Sequence, residues 1–338
     1  MKTAFLQSLP TTRTRPLACR LPRDEAPEGL DERQLLLLKT EIYGLVSGPS
    51  WWRRTLLKVA TEQLGYVVNC YDRCVPTLPS KDPQPGAPSE GFIVIEVDDM
   101  AEAGGAEHVK CMQKLEAMLK YGKIEDLQSK EGTNYAGRFL RQLPDFSFES
   151  NMDEFIYTRL EPIVPQRKVL KKNAADVKLS EGEKTQLRGL IASLNWVSRE
   201  GRPDASSAAS ILASAFPSPT MEHIFAANDA VKHLKTFPVV LRIHAIPEKD
   251  LCLILIGDSA FDTSGKEKSQ HGWLLGFTSP ALNRGESAPV SLMQWRSKRL
   301  RRKAASPLLC EAMSMSAATG PMERLDAFFR SIAMSHFI

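Results

Sequence analysis

Apolar residues recur along this chain with two distinct periods, and the alternation between them sets out the expected elements. From Trp52 onward Trp52, Leu56, Leu57, Ala60 and Leu64 keep helical spacing, and Gly65 stops them. Val109, Met112, Leu115 and Leu119 predict a second helix, and Leu187, Leu190, Ile191 and Leu194 a third. Ala208 to Phe216 predicts another. Thr220 caps the next, whose inner face carries Ile224, Ala227, Val231 and Leu234. Residues 307 to 330 predict a last helix, with Leu308, Ala312, Met315 and Ala318 inward.

Strand formers fill the intervals. Tyr66 to Val75 predicts a strand, and Phe92 to Val97 its returning hairpin partner across a Pro/Ser/Gly connection. Tyr135 to Gln142 and Phe155 to Leu160 read as short strands or their flanks. Val239 to Ile246, Leu251 to Ile256, Gly272 to Phe277 and Val290 to Trp295 form a later strand series. The second of these is almost wholly apolar and is expected at the centre of its sheet. Residues 165 to 186, charged and poor in apolar side chains, read as a linker or exposed loop.

A chain of 338 residues suits about two domains. The net charge of +4 is mild, but the cations are unevenly placed, with Arg296, Lys298, Arg299, Arg301, Arg302 and Lys303 crowding one segment. That run suits phosphate contact, a nuclear-localisation-like patch or a solvated loop. Six scattered cysteines, without the paired spacing of a zinc ribbon, read as free thiols in a reducing compartment. No apolar stretch reaches membrane-spanning length. The expectation is an intracellular protein with no membrane partner.

The strongest chemical feature is Asp98-Asp99, two adjacent carboxylates at the end of an apolar strand. Each disfavours ionisation of the other, and a divalent cation with oxygen ligands relieves the repulsion. The alternative is a solvated turn. Asp258 at a strand end and Glu311 on a helix are further carboxylates of this kind, with a turn and a solvated helix face as their bland readings. His223, His233, His244 and His271 show no ligand spacing and read as structural.

Taken in order, these segments resemble the reverse transcriptase region of copia-type LTR retrotransposon polyproteins, running into ribonuclease H. Lys2-Thr3-Ala4-Phe5-Leu6 resembles the family's first palm strand, and Tyr43-Gly44-Leu45 with Pro49 and Trp52 its Tyr-Gly-Leu signature near the incoming nucleotide. Val97-Asp98-Asp99 resembles the Tyr-Val-Asp-Asp box, with Glu96 in place of the tyrosine. Ala136-Gly137-Arg138-Phe139 falls at the primer-grip hairpin, and Gly201-Arg202-Pro203-Asp204 at the family's Arg-Pro-Asp. Asp258-Ser259-Ala260-Phe261 resembles the first ribonuclease H strand, and Trp295, Ser297-Lys298, Ser306 and Glu311 its later Trp-x-Ser-Lys and Ser-Ser-x-Glu-Ala-Glu motifs.

The resemblance implies an α+β fold. A reverse-transcriptase palm with remnant fingers would occupy residues 1–165, and a helical thumb and connection 166–236. An incomplete ribonuclease H-like α/β domain would occupy 237–338. It implies an RNA-directed DNA polymerase acting by two-metal nucleotidyl transfer, with Asp98, Asp99, Asp258 and Glu311 as catalytic and metal ligands and Mg²⁺ (or Mn²⁺) as cofactor. Tyr43 and Gly44 would face the nucleotide, and Gly137, Arg138, Arg296, Lys298 and Arg299 the nucleic acid. An RNA template, a DNA primer, their RNA–DNA hybrid and deoxynucleoside triphosphates would be the partners. The compartment would be a cytoplasmic particle or the nucleus. The family's third polymerase carboxylate would precede Met1 and its later ribonuclease H carboxylates would follow Ile338, so impaired activity is expected. The alternative is an inactive retroelement remnant that binds hybrid or has no cellular role.

Overall fold

The computed structural model describes residues 4–20, 34–82, 87–165, 167–216, 218–261 and 269–333. Lys2 and Thr3 of the first motif lie outside them. The protein is of mixed α+β class, built from several small antiparallel sheets and their covering helices. It divides into two compact units, Met1–Ile124 with Leu325–Ile338, and Glu125–Arg324. No described helix is long and apolar enough to cross a membrane.

In the first unit, β1 (Ala18–Arg20) and β2 (Leu35–Leu37) form a two-stranded ribbon. Helix α1 (Gly48–Leu64) buries Trp52, Leu56, Ala60 and Leu64 along the stripe that its spacing predicts. It ends at Gly65, whose φ of 80° is the left-handed C-cap that a glycine adopts without strain. A meander follows of β3 (Val67–Val68), β4 (Pro76–Leu78), β5 (Gly91–Glu96) and β6 (Asp99–Gly104), in that spatial order. Helix α2 (Ala106–Met118) then places Met112 and Leu115 against Trp52, Leu56, Ile93 and Ile95 in one core.

Two expectations change here. Ala4–Gln7 is a 3₁₀ turn and not a strand, because Thr40 Oγ1 is shared by the carbonyls of Phe5, Ser8 and Leu9 and holds the segment curled. Tyr66 to Val75 is no continuous strand either. Asn69 Oδ1 accepts the backbone N–H groups of Tyr71 and Asp72, an Asx-type turn that breaks the ladder.

The second unit opens with β7 (Thr133–Tyr135), β8 (Arg138–Gln142) and β9 (Phe148–Asn151). Phe155 lies in a short helix, α3 (Asp153–Arg159), where a strand or flank was expected. Its acidic first turn and Arg159 in the last favour the helix dipole. Helices α4 (Glu181–Glu200), α5 (Ser206–Ala213) and α6 (Met221–Thr236) pack through Leu187, Ile191, Leu194, Leu212, Ile224 and Val231. Ser180 and Glu183 form a reciprocal capping box at the start of α4. The supposed linker is partly structured, since Lys171–Asp176 is a 3₁₀ segment that buries Ala174 in this core.

Strand β10 (Leu241–Ile243) pairs with β9, completing the sheet β10-β9-β8-β7. The second sheet has the order β11 (Cys252–Ala260), β12 (Gln270–Thr278), β13 (Ser291–Arg299). Thus β11 is an edge strand, with Ile256 half exposed, and β12 takes the centre expected for it. Helix α7 (Pro307–Ala333) follows, and its residues after Arg324 belong to the first unit.

The boundaries expected at 165 and 236 do not separate compact units. β10 completes the sheet begun at Thr133, and Trp295 Nε1 donates to the carbonyl of Ser198 at 2.6 Å, tying β13 to α4. All six cysteines are free thiols.

Candidate nucleic-acid interface

Asp98 and Asp99 lie at the turn of the β5–β6 hairpin. Glu96 and Asp99 are the last cross-strand pair, and Val97-Asp98 makes the two-residue connection. Val97 sits at φ 54°, an unfavourable backbone for a β-branched residue. Asp98 is half-buried and Asp99 exposed. Apposed Glu96 and Asp99 make this tip strongly acidic. Among the described residues, no three His, Cys, Asp or Glu side chains gather with metal-ligand geometry.

Tyr43 stacks on Phe5 with ring centroids 4.3 Å apart, and Gly44 turns the chain at φ 93°. Half of Tyr43 remains exposed. In the second unit, Ala136 (φ 50°) and Gly137 (φ 77°) form the two-residue turn between β7 and β8, a hairpin where the motif placed one. Arg138, expected to face phosphate, forms an ion pair with Glu200 at 3.4 Å.

Asp258 and Glu311 are not brought together on one face. Asp258 pairs with Gly272 across β11 and β12, and Ser259 with His271. Helix α7 covers the face on which a Cβ at Gly257 would meet Met315 Sδ at 2.9 Å. Side chains alternate along a strand, so Ser259 shares that face and Asp258 points to the other. Asp258 is exposed, and its Oδ1 accepts the N–H of Ser259 at 2.8 Å. Glu311 lies on α7, one turn before Met315. The helix is anchored by Ser314, whose Oγ donates to the Asp258 carbonyl at 3.1 Å. This close contact turns Cys310, Ser314 and Ala318 inward, while Leu308 and Ala312, expected inside, are exposed, and Met315 keeps only its Sδ against the sheet.

The same face of the sheet carries the cations. Arg296 pairs with Trp273 and Lys298 with His271 across β12 and β13, so all four side chains share the side covered by α7. With Arg299, Arg301 and Arg302 they line a cleft of about 540 Å³, closed on the helix side by Ala312, Met313, Ser316 and Ala317. No carboxylate among the described residues lines it. Among the described residues none pairs with Arg296, Lys298, Arg301 or Arg302.

His271 lies at the buried side of the cleft, 8% exposed, and no described group hydrogen-bonds its Nδ1. Burial, and then the charges of Arg296 and Lys298, hold its pKa below the ordinary histidine value. This residue reads as structural when only ligand spacing is considered. The available signal is the i, i+2 placement of Arg296 and Lys298 on a strand, which gives the two charges one face, opposite the alternating His271 and Trp273.

Compared with models of known protein families and with curated proteins, the chain matches none.

Proposed function

We propose that this chain is a relative of copia-type reverse transcriptases that binds RNA–DNA hybrid and does not depend on catalysis for what it does. The observation that carries this reading is the cleft beside α7, where Arg296, Lys298, Arg301 and Arg302 converge without acidic partners among the described residues. Cations gathered on a concave surface attract polyanions by releasing their condensed counterions. The order of motifs along the chain directs that attraction to hybrid duplex. The test is fluorescence anisotropy with a labelled hybrid. Neutralising four phosphates gives a loss of about 100-fold in affinity between roughly 50 and 200 mM salt. Undetectable or salt-independent binding removes the reading.

The polymerase reading is favoured by one observation of its own, the delivery of Asp98 and Asp99 to a hairpin turn by the buried strand β5. In that reading Asp98 and Asp99 hold Mg²⁺ (or Mn²⁺), and Tyr43 and Gly44 approach the deoxynucleoside triphosphate. Primer extension on an RNA template, lost in Asp98→Asn, is its expected result. If no nucleotide is added, or Asp98→Asn extends the primer as well as the unaltered chain, the assignment of these two carboxylates fails.

A further inference from the structure

The geometry points to the α7 cleft as a binding site for a compact polyphosphate group, with Arg296 and Lys298 as its charged walls and His271 as the hydrogen-bonding group at its buried side. This goes beyond the hybrid-binding reading, since it assigns the cleft to a terminal or free polyphosphate and not to the backbone diesters of a duplex, and it rests on that reading only for the nucleic-acid arm of the test below.

Three features separate a compact polyphosphate from an internal diester of a duplex backbone. The first is charge density. Four cations without described acidic partners surround one cleft, whereas an internal diester brings a single negative charge. A triphosphate chain brings several within a similar volume. The second is shape. About 540 Å³ lies within the range of small-ligand clefts, and an internal diester must leave it at both ends through its sugars. A terminal or free group enters from one side.

The third is the buried side of the cleft. His271 is more than nine-tenths buried, and its Nδ1 has no described partner, although a buried polar atom ordinarily finds one. The neutral ring with its proton on Nδ1 needs an acceptor there, and a phosphate oxygen that displaces the side chains of Arg296 and Lys298 to reach it supplies one. Trp273, 6% exposed, is too enclosed to stack on a base, so the site selects phosphate and not the nucleoside.

The test is calorimetric titration of the full chain with sodium tripolyphosphate, with sodium sulfate as the single-oxyanion comparison at equal ionic strength. Tripolyphosphate is expected to bind at one site per chain and at least about tenfold more tightly than sulfate. Arg296→Gln and Lys298→Gln each weaken it about tenfold, and His271→Gln weakens it several-fold. Arg296 is exposed, so its replacement leaves the core intact. Arg284→Gln, at a residue paired with Glu286 and outside the cleft, leaves the affinity unchanged.

Equal affinity for sulfate and tripolyphosphate, no binding, or no effect of the cleft variants overturns the proposal. An RNA bearing a 5′-triphosphate, compared with the same RNA bearing a 5′-hydroxyl, identifies the source. Tighter binding of the triphosphate end assigns the site to nucleic-acid termini, and tripolyphosphate binding with no difference between the two RNAs assigns it to free polyphosphate. Hybrid binding that is lost in Arg296→Gln, with no tripolyphosphate binding, leaves the hybrid reading standing and this inference overturned. Tripolyphosphate binding without hybrid binding does the reverse.

Discussion

Glu41 is almost fully buried in the first unit, and its carboxylate accepts two hydrogen bonds from Arg13, both at 2.8 Å, with Ser47 and Thr11 completing the cluster. The Arg13 contact is the main reason its pKa falls from 4.5 to about 2. Between those values the unfolded chain binds the proton and the folded chain does not, so stability rises with pH across that window. Glu41→Gln is expected to flatten the acid limb of a stability–pH curve measured by urea denaturation. It should cost about 1–2 kcal/mol near neutrality, because Arg13 is partly solvated.

The second unit has a comparable cluster in the Gly-Arg-Pro-Asp motif. Arg202, fully buried, pairs with Asp204 and donates to the carbonyls of Leu234 and Phe237, closing the end of α6. Arg202→Met leaves both carbonyls without its donors and leaves Asp204, which is partly solvated, to His233 alone. A loss of about 2–4 kcal/mol is expected in the urea midpoint analysis. The motif itself is visible in the sequence. That its arginine serves as an internal brace is not, because the two carbonyls it reaches lie more than thirty positions away.

At the scale of elements, the β5–β6 hairpin holds a locally unfavourable residue at its turn. Val97 has a φ of 54°, and such positions cost on the order of 1–3 kcal/mol. Val97→Gly is expected to raise stability by about 1 kcal/mol once the entropy of the added glycine is subtracted. A lower urea midpoint for this variant would mean that the turn is not strained.

The helices α1, α4 and α6 follow their sequence patterns closely, since a 3.6-residue stripe, an N-cap and a C-terminal glycine or polar stop act within a few residues of one another. The strands do so less well. A short apolar run such as Leu251 to Ile256 carries no mark of whether it lies at the centre or the edge, and β11 took the edge. Helix α7 departs for a different reason. Ser314 bonds to strand carbonyls, and that single anchor rotates the helix so that Leu308 faces out.

For the molecule as a whole, the two hydrophobic cores have no residue in common. One runs through Trp52, Leu56, Ile93 and Leu115, the other through Met152, Leu187, Leu194 and Ile224. Separate cores support separate cooperative transitions. Differential scanning calorimetry is expected to resolve two, with Glu41→Gln lowering one and Arg202→Met the other. A single transition that both variants shift equally would refute independent unfolding.

The sequence by itself determined the helices α1, α2, α4, α5 and α6 and the crowding of cations between Arg296 and Lys303. Each depends on residues a few positions apart, whose spacing already selects the backbone that suits them. Tertiary structure alone decided what those residues face. Strand register turned Asp258 away from α7 and placed His271 beside Lys298, and an ion pair across sixty-two positions gave Arg138 to Glu200. Such pairings join distant segments, and no local period records them. The acidic pair Asp98-Asp99 was evident from the chain, but its hairpin appeared only with β6, and the basic cleft became a site only when the sheet and α7 closed around it.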